Sequence, residues 1–154
     1  MTTSTHDVAG PCAGFEEGEE PVTEGSERWF RACNDDSLDD QTGQPTNLMF
    51  GLSSGDDGRL SGTLASKTTS EKTASHLRDV QKRSIAAMRE VSVSDLTAAD
   101  LHLHDDSAVS RPPQAPEGHA YLDLQHLPLG RQNPAKRARE RVRALLFERS
   151  RTAE

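Results

Sequence analysis

The chain has 154 residues, which is room for one modest domain, and only 32% of them are hydrophobic, so part of the chain must be unfolded or exposed to solvent. It contains no apolar run near the ~20 residues that span a bilayer, and its N-terminus lacks the basic start and apolar stretch of a secretory signal. We therefore expect a cytoplasmic protein without membrane contact. The net charge of −7 is unevenly distributed, since acidic residues dominate the first forty positions and basic residues dominate the positions after 130.

The N-terminal residues 1–25 are small, polar and acidic. Such a segment cannot bury enough apolar area to offset the entropy that it loses on ordering. This composition predicts a disordered acidic tail over residues 1–25 and a single domain over residues 26–150. Cys12 lies in the predicted tail and Cys33 in the domain. A reduced pair is the favoured state, although the sequence leaves open whether the two cysteines pair.

Two kinds of element are predicted at the start of the domain. Ser26 is expected to cap a short helix that contains Trp29 and Phe30. Two short apolar runs follow, at residues 48–52 and 59–64, and the connection between them is rich in Gly and Asp. Gly and Asp tolerate the backbone angles of tight turns, so these runs are interpreted as a β-hairpin.

A helix and two strands are predicted in the middle of the chain. Thr68 is followed three residues later by Glu71, a capping-box pattern that begins a helix ending near residue 83. Residues 91–94 and 101–104 each alternate between apolar and polar side chains. That period of two predicts strands rather than a continued helix.

The clearest strand comes after a proline-rich stretch at residues 105–118, which is predicted to be a surface loop. Residues 119–125 alternate cleanly, with Ala120, Leu122 and Leu124 on one face. We expect that face to be buried in the core.

The clearest helix follows residue 132. Asn133 is the predicted N-cap, and Pro134 suits the first helical position. The apolar residues that recur at helical spacing form one stripe: Ala135, Ala138, Val142, Leu145 and Leu146. The residues predicted to point away from the stripe, and so to be available to a partner, are Lys136, Arg137, Arg143 and Phe147.

These elements give the order β-β-α-β-(β)-β-α. The predicted fold is α+β, with a small mixed or antiparallel sheet and two helices packed on one face of it. The domain is expected to follow the disordered acidic N-terminus and to end in the Arg-rich amphipathic helix.

A series of short motifs lies between residue 28 and about residue 124. They are Trp29 with Arg31, the Asp-rich approach to Gly43, Phe50, the turn Asp57-Gly58-Arg59-Leu60-Ser61, Thr68-Thr69-Ser70-Glu71, and Gly118-His119-Ala120. In their order and spacing, this region resembles a group of small bacterial proteins whose activity is not established. The resemblance implies one recurrent domain with a variable N-terminus, and it carries over no catalytic residue.

Histidines supply the candidates for chemistry. His102, His104 and Asp106 match the H-x-H-x-D part of the metal-binding motif of metallo-β-lactamase-like hydrolases, and two histidines two residues apart on a strand share one face. Ser107 stands where that motif has its final His, so we predict no metal and no cofactor. His119 offers a base, but no G-x-S-x-G elbow or phosphate-binding glycine loop accompanies it, and it is interpreted as a hydrogen-bonded residue at the start of a strand.

Three functions remain open from the sequence. The leading hypothesis is a non-enzymatic interaction or accessory module that binds another protein, with its acidic arm and basic terminal helix available for electrostatic steering. The alternative is an accessory protein that binds nucleic acid through the terminal helix, whose eight bases within residues 131–154 could contact phosphates. The third is a metal-dependent hydrolase that uses His102, His104 and Asp106.

Overall fold

A computed structural model of the chain describes residues 15–52, 58–127 and 133–153. These residues form one antiparallel sheet of seven strands together with three α-helices, which confirms the α+β class. Residues 1–14, and with them Cys12, lie outside the described ranges. Among the described helices, none combines the length and the apolar composition that crossing a bilayer requires.

The strands in chain order are β1 (Glu20–Val22), β2 (Arg28–Asn34), β3 (Arg59–Leu64), β4 (Ile85–Ser92), β5 (His102–Asp105), β6 (His119–Asp123) and β7 (Arg151–Thr152). The helices are α1 (Ser70–Asp79), α2 (Val93–Ala98) and α3 (Asn133–Arg149), and two short 3₁₀ helices span Asp35–Ser37 and Asn47–Phe50. The strands lie in the order β1-β5-β6-β3-β2-β4-β7. The first and last of the described strands therefore form the two edges of the sheet.

One face of the sheet carries the principal core. Trp29 on β2, Leu60 on β3 and Leu122 on β6 are fully buried in a single cluster. The cover for this face comes from the longer 3₁₀ helix, α2 and α3, which contribute Phe50, Leu96 and Leu146 respectively. Burial of apolar side chains on this scale is the main force that holds the helices on the sheet.

The opposite face is covered by α1. Ala74 and Leu77 of α1 pack with Ala32 and Ile85 in a second, smaller cluster, whereas Cys33, the next residue along β2, belongs to the principal core. The helices are therefore divided between the two faces, although the sequence predicted both on one face. The reason is that β2 buries residues on both of its sides, so each face of the sheet needs cover.

The N-terminal part of the described chain is more ordered than its composition predicts. Residues 15–25 were expected to be disordered, but β1 pairs with β5, with Glu20 opposite Asp105 and Val22 opposite Leu103. The expected helix after Ser26 is also wrong, because residues 28–34 form β2. Long-range pairing decides both segments, and local composition carries no signal of such pairing.

The middle of the chain contains three further corrections. Residues 48–52 contribute to a 3₁₀ helix instead of a hairpin strand, and β3 pairs with β2 and β6. The cap of α1 is Thr69, whose hydroxyl accepts from Lys72 N, so the capping pattern begins one residue later than predicted. β4 begins at Ile85, and Ser92 caps the short helix α2, which the alternation of residues 91–94 had concealed.

Candidate functional site

A cleft of about 190 Å³ lies on the α1 face of the sheet, between α1, the strands β2 and β3, and the loop that precedes β6. For scale, an apolar cavity of about 150 Å³ holds a molecule of benzene. The described residues that line the cleft include Arg31, Arg83 and His119, and no Asp or Glu. Phe30 and Leu77 supply apolar wall. The cleft thus combines cationic groups with a surface that can take the apolar body of a small molecule.

The cleft lies where β2 and β3 separate. These strands pair at Trp29 with Leu64 and at Phe30 with Thr63. Beyond that point the side chain of Arg31 makes hydrogen bonds to backbone carbonyl groups. Its Nε donates to Met49 O at 2.9 Å and its Nη1 donates to Ser61 O at 2.7 Å. The guanidinium therefore holds the separated strand, and Arg31 is one of the residues that line the cleft.

His119 is fixed in the wall of the cleft by Asp106. Its Nδ1 lies 2.6 Å from Asp106 Oδ1, and the second carboxylate oxygen accepts a hydrogen bond from Ser110 Oγ at 2.9 Å. Asp106 is 6% exposed. The carboxylate accepts a hydrogen bond from Nδ1–H, which fixes the tautomer and leaves Nε2 as the ring nitrogen available to a ligand.

A chain of hydroxyl groups joins the sheet to α1 beside His119. Thr63 lies opposite His119 across β3 and β6. Thr73 Oγ1 donates to Thr69 O at 3.0 Å, so the 2.8 Å contact between the hydroxyls of Thr63 and Thr73 is donated by Thr63. The proton of Thr63 is thus directed to Thr73, and this contact ties α1 to β3.

A second polar cluster lies on the same face, around the ring of His104, which is fully buried. Nδ1 lies 3.0 Å from Glu19 Oε1, and Nε2 lies 3.1 Å from Asp123 Oδ2. The Tyr121 hydroxyl donates to Glu19 at 3.0 Å. The cluster couples the N-terminal segment to β5 and β6 through buried polar contacts.

Aromatic rings complete this cluster. The ring of His104 is stacked between Phe15 and Tyr121, at centroid distances of 4.2 and 4.6 Å. The guanidinium of Arg59 lies 4.9 Å from the centre of the Tyr121 ring and pairs with Glu16. Burial and the hydrogen bond to Glu19 raise the pKa of the Tyr121 hydroxyl well above its usual range, so it remains a hydrogen-bond donor.

Two other groups near the sheet have displaced pKa values. Burial by itself raises the pKa of Asp105, but hydrogen bonds from Lys67 and Ser107 outweigh it and hold that pKa below its usual range. Burial and the nearby Asp36 carboxylate raise the pKa of the Cys33 thiol. Cys33 is buried and unpaired in the structure, and a buried neutral thiol is unreactive.

The three residues of the metal hypothesis have different surroundings. His102 Nε2 lies 3.4 Å from Asp100, while His104 is enclosed between Glu19 and Asp123 and Asp106 holds His119. In the described part of the chain, no three His, Cys, Asp or Glu residues are grouped so that they could hold a metal ion. The structure therefore does not bring the predicted ligands together.

The four residues proposed for partner binding on α3 differ in exposure. Lys136 and Arg137 are exposed, as expected. Arg143 is half-buried: its side chain packs over Gly51, and its Nε is buried without a hydrogen-bond partner. Phe147 packs against the principal core under the guanidinium of Arg89, at 4.7 Å. The expectation that Arg143 and Phe147 point away from the core is wrong, because α3 buries side chains beside its predicted apolar stripe as well as those within it.

The contact between Asp106 and His119 is not among the predictions from the sequence. The signal was available, since the two residues stand at the two ends of a loop between neighbouring antiparallel strands, and such pairing brings loop ends together. Glu19 carried no comparable signal, because its contact with His104 spans 85 residues.

Comparisons with known proteins give no relative from which a role could be transferred. No protein-family model matches the chain, and neither curated proteins nor solved structures provide a match. The function has to be inferred from the geometry of the chain itself.

Proposed function

We propose that the protein is a recognition module that binds a small organic anion in the cleft between α1, β3 and the loop before β6. The observation that carries this proposal is the position of His119, fixed by the buried carboxylate of Asp106, in a cleft whose described lining contains two arginines and no carboxylate. In this role the protein is not an enzyme, and the anion is recognised in the cleft.

Charge supports an anionic ligand. The chain as a whole has a net charge of −7, so a cationic lining stands out against its average field. Arg31 and Arg83 bring positive charge to the lining of the cleft, and this charge attracts a carboxylate or a phosphate. Nε2 of His119 can donate a hydrogen bond to such a group when the ring carries both protons. Phe30 and Leu77 would contact the apolar body of the ligand.

The test uses benzoate as the probe and benzamide as its neutral analogue of the same shape. Benzoate is expected to shift the amide signals of Phe30 and Gln81 and the ring signals of His119 in a saturable NMR titration. Benzamide should bind at least about tenfold more weakly, because it lacks the charge that strengthens the hydrogen bonds.

Variants locate the site. His119→Gln should weaken benzoate binding by about 10- to 100-fold, the effect of losing one charge-assisted hydrogen bond. His126→Gln, at an exposed histidine that does not line the cleft, is the matched control and should leave binding unchanged. Equal affinity for benzoate and benzamide, or shifts confined to another part of the chain, would contradict the proposal.

A second proposal is that α3 binds an acidic segment of another protein. It is supported by Lys136 and Arg137, which lie exposed on the helix while Ala135 and Leu146 face the core. Because exposed charges act mainly through long-range attraction, we expect association to weaken as salt rises.

Charge reversal tests this second proposal. Lys136→Glu/Arg137→Glu should abolish binding of a decaglutamate peptide at low salt and leave thermal stability unchanged. Lys72→Glu/Lys82→Glu, two exposed lysines elsewhere, makes the same change in net charge and should retain most of the binding. A short DNA duplex that binds more tightly than the peptide, with a steep salt dependence, would favour the nucleic-acid alternative instead.

A further inference from the structure

The N-terminal arm, defined as residues 15–22, is held on the sheet by specific buried contacts. Glu19 is the central anchor: its carboxylate is 4% exposed and accepts hydrogen bonds from the Tyr121 hydroxyl while it contacts His104. Phe15 stacks on the opposite side of the His104 ring. A carboxylate buried this deeply is costly to leave unpaired, so the arm is fixed in one position rather than lying loosely on the surface.

The arm meets the loop between β5 and β6 at Gly18. This glycine has a φ of +87°, and a Cβ built on it would lie 2.7 Å from Cγ1 of Val109. The backbone of the arm therefore lies close to the Val109 side chain, which is 60% exposed. A side chain at position 18 would both strain the backbone and push against the loop.

Val109 belongs to the turn that positions Asp106. The backbone N–H groups of Val109 and Ser110 donate to Asp106 O at 3.0 and 2.8 Å, and Ser110 Oγ donates to the Asp106 carboxylate. That carboxylate in turn holds His119 at 2.6 Å. A continuous series of contacts thus runs from the arm, through the turn of residues 106–110, to the ring in the cleft.

We propose that the arm positions the Asp106–His119 pair, so that docking of Glu19 and Phe15 sets the ligand affinity of the cleft. Glu19 and Val109 are positioning residues in this scheme, because neither lines the cleft. The link between docking and affinity rests on the function proposed for the cleft. The link between the arm and His119 stands on the contacts alone.

The experiment perturbs the two ends of this series in the full chain. Glu19→Ala removes the anchor, and Val109→Ala removes the contact with the loop while the anchor stays in place. Leu48→Ala, which truncates another exposed apolar residue, serves as the control. Three quantities are measured for each protein: amide exchange at Glu20 and Val22, exchange of the His119 Nδ1 proton by NMR, and the dissociation constant for benzoate.

We expect Glu19→Ala to accelerate amide exchange in the arm, and both Glu19→Ala and Val109→Ala to accelerate exchange of the Nδ1 proton. Benzoate affinity should fall by about 3- to 30-fold in both, the range of modest coupling between neighbouring sites. Leu48→Ala should change none of the three. If the arm is released while the Nδ1 proton is unaffected, the positioning proposal is overturned. If benzoate fails to bind the unaltered protein, the function proposed for the cleft fails, and the Nδ1 proton still decides whether the arm positions His119.

Discussion

Gly62 permits a close contact with the neighbouring strand β2. The indole of Trp29 passes over it and donates from Nε1 to Ala120 O at 3.2 Å, on the strand beyond β3. A Cβ on Gly62 would lie 2.3 Å from this Nε1 and 2.3 Å from Phe30 O. One of these two atoms belongs to the backbone, which cannot move without displacing β2. The hydrogen bond of a buried tryptophan therefore depends on the absence of a side chain at this position.

We predict that Gly62→Ala lowers the free energy of unfolding by at least about 2 kcal/mol, because the new methyl group overpacks a rigid part of the core. Chemical denaturation monitored by Trp29 fluorescence measures the change. Gly25→Ala is the control, since its Cβ would meet only Ser94 Cβ at 3.8 Å, and it should stay within about 0.5 kcal/mol of the unaltered protein. Similar stability for the two variants would show that the strands adjust freely around position 62.

At the scale of the element, α3 is attached to the core through few side chains. Leu146 is 1% exposed and Ala135 is 9% exposed, while Val142 and Ala138 are partly buried. Arg143 and Phe147 add to the attachment through their half-buried side chains. A helix held in this way is sensitive to the loss of one large residue.

Adjacent leucines on α3 should therefore respond differently to truncation. Leu146→Ala is expected to cost about 2–5 kcal/mol of unfolding free energy, the range for a buried leucine that leaves a cavity. Leu145→Ala should cost about 1 kcal/mol or less, because Leu145 is only half-buried and lies outside the core cluster. Urea unfolding of both variants tests this, and a larger loss for Leu145 would mean that α3 is rotated about its axis.

At the scale of the whole molecule, the second half of the chain was more predictable than the first. The strand at residues 119–125 is predictable because its apolar residues recur with a period of two. The terminal helix is predictable because its apolar residues recur with a period of 3.6. The segment around Trp29 and Phe30 has no such period, because β2 buries both of its faces. Its run of apolar residues fits a helix as well as a central strand.

The candidate site was less predictable than the fold. The sequence suggests His119 as a base and Asp106 as a metal ligand, but the pairing of these two residues depends on the conformation of the loop between β5 and β6. The contact of Glu19 with His104 depends on the path of the whole chain, since Glu19 lies just before β1 and His104 lies on β5. Acidic composition alone indicated disorder, and only a buried partner could reverse that expectation.

The two edge strands also affect the tendency of the protein to aggregate. β1 and β7 are the edges of the sheet; β1 has three residues and contains Pro21, and β7 has two exposed residues. Short edges interrupted by proline are poor templates for pairing with another chain. Proteolytic loss of either terminus would uncover β5 or β4, whose backbone groups would then be open along the border of the sheet. β1 and β7 thus shield the backbone of β5 and β4 from strand addition by another chain, and their loss would expose those two strands to it.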